Sequence, residues 1–155
     1  MTRNERPIAF WCICVFLALS LVLLLLGQTS AVFAYDFTVS IGLQESMDDV
    51  SEYGIEVNRA FGVADTIVYI PLIVMSLIGL VRRRPWALPV TAAVMGISAY
   101  WTVTIAFMFF FLPGVPGYNL VPGMEYWVAL GSFFGIGVWG ILYIALRGDR
   151  LVRGS

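Results

Sequence analysis

The chain has no lysine, no histidine, two cysteines, and only 12% charged residues among 155. Each shortage excludes something. Without histidine, the commonest metal ligand and the usual proton carrier near neutral pH are missing. Any proton chemistry falls to carboxylates, tyrosine or cysteine. All nine basic residues are arginine, and a net charge of −1 gives no general basis for nucleic-acid binding. Cys12 and Cys14 stand two apart on one apolar segment, so they point to different sides and cannot bridge. They read as small apolar helix residues, which rules out a disulfide framework and a Cys-x-x-Cys redox site. No glycine-rich loop cradles phosphate, no ligand cluster suits zinc and no Ser–His pair exists. A hydrolase or nucleotide enzyme is disfavoured, and neither a metal nor a cofactor is expected. No long charged path crosses the apolar segments, which disfavours an ion pump.

What the chain has instead is apolar mass. Apolar residues make up 60% of it, against roughly 45–50% in a water-soluble domain with about 25% charge. A domain of this size has no interior for such an excess, so it must face lipid. A bilayer core of about 30 Å needs about 20 apolar helical residues. Four runs qualify, at about residues 8–30, 61–81, 86–112 and 126–146. Arg3 and Arg6 before the first run resemble a signal-peptide start, but the run is too long for a signal h-region and "AVFA" is a weak cleavage site. A retained helix is expected. Pro85 suits a helix start, Pro89 falls in the first two turns of the third run, and Pro113 ends it.

Arginine placement gives orientation. Arg3, Arg6, Arg82, Arg83, Arg84, Arg147, Arg150 and Arg153 fall on one side of a four-span arrangement, and only Arg59 falls on the other. Positive residues in short loops stay in the cytoplasm. The opposite side carries Asp36, Glu45, Asp48, Asp49, Glu52, Glu56 and Glu125. The expected fold class is therefore all-α: an integral membrane four-helix bundle forming a single domain, with both termini cytoplasmic, in the plasma (inner) membrane. Trp11, Trp86, Tyr126 and Trp127 near the run ends fit an aromatic belt.

A partly structured external loop, about residues 31–60, joins the first two spans. Phe37, Val39, Ile41 and Leu43 alternate with polar or small residues, which is strand periodicity. A lone strand needs a partner, so an extended flap is the alternative. Ser46 with Asp49 three on resembles a capping start, with Met47, Val50 and Val57 on one side of a following short helix. The second external connection, "PGVPGYNLVPG", reads as a stiff turn.

Asp65 is the one carboxylate inside an expected span. It stands about 25 Å above the arginine boundary at roughly 1.5 Å per residue. Ionisable residues within a span face a cavity or a partner; the alternative is a helix cap bathed in water. Tyr69 lies one turn below, and Pro71 deprives the Ile67 carbonyl of its helical donor. A carboxylate, a phenol and a freed carbonyl thus share one wall. In the third span, Ser98 pairs in face with Thr102, and Tyr100 with Thr104; interhelical hydrogen bonding is the first expectation for such hydroxyls and ligand contact the second. Gly131 with Gly135 and Ala92 with Gly96 are small-residue pairs of the kind that lets helices pack closely, here within the bundle rather than between copies.

The segment "EVNRAFGVADTIVYIP" resembles the second helix of EXPERA-domain proteins, the group of sterol isomerases and the sigma-2 receptor. There an acidic residue, a polar residue four on and a proline two further recur; here they are Asp65, Tyr69 and Pro71. "VFAYDFTV" resembles that family's acidic residue near the outer end of the first helix, which would be Asp36. The resemblance implies a pocket open to the membrane in which Asp36 and Asp65 meet, sharing a proton, to hold a hydrophobic amine or sterol-like ligand. The isomerases' catalytic histidine has no counterpart in a chain without histidine.

These residues point to a membrane protein with an outer-half pocket for a hydrophobic, lipid- or sterol-like small molecule, lined by Asp65, Asp36, Tyr69, Tyr100 and Thr104. Binding or an accessory role fits better than catalysis. The expected partners are membrane lipid and that ligand, with a homodimer or a larger membrane complex as a further partner. The rival readings are a structural or assembly subunit of such a complex and a small proton-coupled transporter component.

Overall fold

The computed structural model describes residues 6–152; Arg3 and Arg153, two of the orientation arginines, lie outside them. Every regular element among the described residues is helical. We number them α1 (Ile8–Phe33), α2 (Tyr35–Ser40), α3 (Glu52–Val81), α4 (Ala87–Phe111), α5 (Met124–Arg147) and α6 (Asp149–Val152). Four of them, α1, α3, α4 and α5, are long and apolar enough to cross a membrane, which marks the chain as a multi-pass membrane protein. In hydrocarbon a helix is the one open-ended element that satisfies its own backbone. Large side chains such as Leu19, Ile67, Phe110 and Val128 stand exposed around the bundle, as a lipid-facing surface requires.

Three of the expected spans match to within a few residues. The second is longer, because α3 begins at Glu52 rather than near residue 61. Its first two turns are polar, with Arg59 paired to Glu56 at 2.8 Å, so an apolar run reveals only the deeper part of the helix. The segment expected as a loop is therefore largely helix. The expected strand across Phe37–Gln44 is also absent. Residues Tyr35–Ser40 form α2, in which Thr38 Oγ1 and Ser40 Oγ donate to the carbonyls three residues back. With no second strand to pair, a helix is how this backbone satisfies itself. The Ser46–Asp49 pattern does close a reciprocal cap: Ser46 Oγ donates to Asp49 Oδ2 at 2.6 Å, and Asp49 N donates back to Ser46 Oγ at 3.3 Å. The helix does not continue from it. Asp49 O instead accepts the amides of Asn119 and Leu120, and Ser51 N donates to Gly117 O. The two loops at the acidic end are thus clasped together, and α3 starts only after the clasp. Gly117 holds a φ of 85°, and a Cβ there would stand 2.8 Å from Ser51 Cβ.

The bundle packs chiefly α1 along α3, α3 along α4 and α4 along α5, and the Phe16 and Phe133 rings, centroids 5.2 Å apart, bring α1 against α5. Its packed core lies toward the arginine end. Phe10, Ile13 and Leu17 meet Ile73, Leu80, Ala87, Val94 and Met95 there, closed below by Leu151 and Val152. Arg6 spans this end, donating to the last carbonyls of α3, Val81 O at 2.8 Å and Leu80 O at 3.4 Å. Its guanidinium sits 4.0 Å from the Phe10 ring centroid.

The α4–α5 seam uses other glycines than expected. A Cβ on Gly137 would stand 2.9 Å from Met95 O, and one on Gly140 would stand 2.8 Å from Met95 Sδ. Gly131, Gly135 and Gly96 meet nothing within 4 Å, and Ala92 is half-buried. The helical period decides this: Leu130, Phe133, Gly137 and Gly140 share the inward stripe, so Gly131 and Gly135 face away from it.

Candidate functional site

The acidic-end half of the bundle is hollow. A cavity of about 540 Å³ is walled by α1, α3, α4 and α5 and roofed by Gly42–Glu45 after α2. Both helices that meet the roof carry a wide turn at that level. In α1 it spans Leu24–Thr29, and in α3 it spans Asp65–Tyr69. Such π-helical turns insert an extra residue per turn and recur at functional sites. In α3 the cause is local. Pro71 has no N–H, and the Ile70 amide reaches five residues back to the Asp65 carbonyl. The two wide turns touch through Thr29 Oγ1 and Thr66 Oγ1, 2.9 Å apart. They can approach because of Gly62, where a Cβ would stand 2.6 Å from Gln28 O.

Asp65 lines this cavity and is 8% exposed. Among the described residues, none donates a hydrogen bond to its carboxylate. Tyr69, also lining it, shares a hydrogen bond with Ser98 Oγ, and Ser98 in turn donates to Val94 O at 3.2 Å. Thr102 donates to Ser98 O and Ala99 O. Two lining side chains hold polar atoms that are buried without a partner, Ser20 Oγ and Gln28 Oε1. Buried polar groups normally find a partner; these two atoms are enclosed in the packing of a wall that is largely apolar.

The other expected site residues are not gathered here. Asp36 is exposed and does not line the cavity, because the backbone breaks at Ala34 (φ −148°, ψ 66°) before α2. Tyr100 is 75% exposed and Thr104 is spent on the Tyr100 carbonyl at 3.0 Å; neither lines the cavity, for the Ser98–Thr102 face of α4 is the inward one.

The acid that does accompany Asp65 comes from the roof. Glu45 Oε2 accepts from Asn58 Nδ2 at 3.0 Å, Asn58 Nδ2 also reaches Tyr35 OH at 3.2 Å, and Tyr35 OH donates to Glu45 O at 3.1 Å. Burial pushes the Glu45 carboxyl above its ordinary value and the neighbouring Asp49 adds to that, against the hydrogen bonds it accepts. Burial raises the Tyr35 phenol too. Glu125 at the start of α5 is the third carboxylate on the lining, and among the described residues no arginine lines the cavity. Sequence reasoning counted Glu45 and Glu125 only among the external acids. Asn58, three residues before Phe61 and seven before Asp65, was the available signal, since those spacings share one helix face. Among the described residues no cluster of three or more His, Cys, Asp or Glu could hold a metal ion.

Set against protein-family models, curated proteins and solved structures, the chain matches none of them. The functional reading therefore rests on this geometry.

Proposed function

We propose that this protein binds a hydrophobic, lipid-like small molecule in the hollow half of the bundle, with the ligand's polar end at Asp65. One observation carries the reading: a buried carboxylate that has no donor among the described residues faces a cavity of about 540 Å³ whose lining, among those residues, holds carboxylates but no arginine. Burying a charge without a partner is costly, and a ligand that brings N–H or O–H donors removes that cost. The negative lining favours a protonated amine over a neutral or anionic head. The wall is largely apolar, as small-molecule sites are. Nothing in the arrangement supplies a nucleophile–base pair, which favours binding over catalysis.

The resemblance to EXPERA-domain proteins supports the same reading at Asp65, Tyr69 and Pro71, with Glu45 rather than Asp36 as the second acid. Arginine placement supports both termini in the cytoplasm and the cavity on the outer side of the plasma membrane. A reagent that reaches the cavity only from the cytoplasmic side contradicts that orientation.

The test is thermal unfolding of the purified chain in detergent with octylamine as probe. Octylamine raises the unfolding temperature of the wild type and not that of Asp65→Asn. Equal stabilisation of both contradicts the site.

A further inference from the structure

The cavity wall continues past Asp65 toward the roof in an ordered way. Asn58, Phe61 and Asp65 lie on one stripe of α3 and all line the cavity. Asn58 holds the Glu45 carboxylate by the 3.0 Å hydrogen bond from its amide. Glu45 is thereby fixed near the level of Asn58, seven residues above Asp65, or about 10 Å along the axis at roughly 1.5 Å per residue. Phe61 of α3 stands between the two acids, and Trp101 and Phe109 of α4 also line the cavity. Asp65 has no donor among the described residues. The wall therefore reads acid, aromatic, acid, and among the described residues none that lines it is basic.

Resting on the reading of this cavity as a ligand site, we propose that it is a two-point site for an α,ω-diamine. One ammonium sits at Asp65, the methylene spacer lies along Phe61, and the second ammonium sits at Glu45. A monoamine satisfies only the deeper acid. A second ammonium adds a charge-assisted hydrogen bond at Glu45 and gains from the aromatic faces it passes. Glu125 also lines the cavity and adds negative potential there. A spacer far shorter than the separation of the acids cannot serve both. Diaminooctane spans it and diaminopropane does not.

The experiment is equilibrium binding of octylamine, diaminooctane and diaminopropane to the full chain in lipid nanodiscs, with empty nanodiscs subtracted. In the wild type diaminooctane binds about tenfold tighter than octylamine, the gain of one charged hydrogen bond, and diaminopropane has no such advantage. Glu45→Gln removes the advantage, so that diaminooctane and octylamine bind alike in the variant, and the octylamine binding that remains shows that the variant folds. Asp65→Asn weakens both. Equal binding of diaminooctane and octylamine, or an advantage that survives Glu45→Gln, overturns the two-point site and leaves the Asp65 reading standing. Octylamine binding that is absent, or indifferent to Asp65→Asn, overturns the reading beneath it. Should Glu45→Gln fail to fold, the wild-type series decides: an optimum at diaminooctane supports the proposal, and affinity independent of spacer length overturns it.

Discussion

Asp65 stands where folding alone would not put it. A carboxylate 8% exposed and without a donor among the described residues destabilises the empty protein, because a buried polar group without a partner keeps its desolvation cost. Asn has nearly the same shape and no charge. Asp65→Asn is expected to stabilise the empty protein by about 1–3 kcal/mol while weakening ligand binding, a trade of stability against function at one residue. Unfolding by a graded denaturing detergent, without ligand, checks this. A loss of stability in Asp65→Asn would mean that the carboxylate is already satisfied. Tyr69 behaves differently, since its hydroxyl is bonded to Ser98 and belongs to the packing between α3 and α4.

Among the elements, two joints decide whether the cavity exists. The α4–α5 seam depends on Gly137 and Gly140, where any side chain meets Met95 at once. Gly137→Leu is expected to cost about 1–3 kcal/mol or more through overpacking, while Gly131→Leu and Gly135→Leu, on the open stripe, stay within about 0.5 kcal/mol. Denaturing-detergent midpoints of the three variants measure this; a costly Gly131→Leu would place the seam elsewhere. The second joint is the roof. Glu45 carries a carboxyl whose folded pKa lies above its ordinary 4.5. The sign follows directly: a raised folded value means the folded roof holds the proton more firmly than the unfolded one. The stabilisation is complete below the ordinary value and is lost as pH rises through the folded value. Asp49 faces Glu45 with like charge and adds to the effect, whereas Asn58 opposes it. Amide exchange of Gly42–Asp49, compared with Glu45→Gln at each pH, should show the wild-type roof loosening as pH rises from 4 toward neutrality and the variant unchanged. Parallel profiles would remove Glu45 as the cause. The roof is also where sequence reading failed. The alternation from Phe37 to Gln44 is real, but a strand needs a second strand, and which segment stands beside it is a tertiary fact. Likewise the clasp of Asp49 and Ser51 onto Gly117–Leu120 pairs residues far apart in the chain, which no local pattern records.

At the scale of the whole molecule, the four spans were legible because lipid imposes one rule, an apolar helix of sufficient length. Asp65, Tyr69 and Pro71 were legible because charge and proline are conspicuous against that background. The partners of Asp65 were not. Asp36 is near in sequence logic, at the end of the neighbouring helix, but the break at Ala34 turns it outward. Glu45 reaches the cavity only because α2 folds back over the bundle. The resulting division, a packed core at the arginine end and a hollow at the acidic end, is what the functional reading depends on. Its most direct test is a cysteine inside the hollow. Ala129 lines it, and Ala129→Cys in a Cys12→Ser, Cys14→Ser background offers one thiol to a small, cationic, membrane-impermeant methanethiosulfonate. The account predicts modification from outside the cell, protection by octylamine, and loss of that protection when Asp65→Asn is added. Modification at the same rate with and without octylamine, or only from the cytoplasmic side, would contradict it.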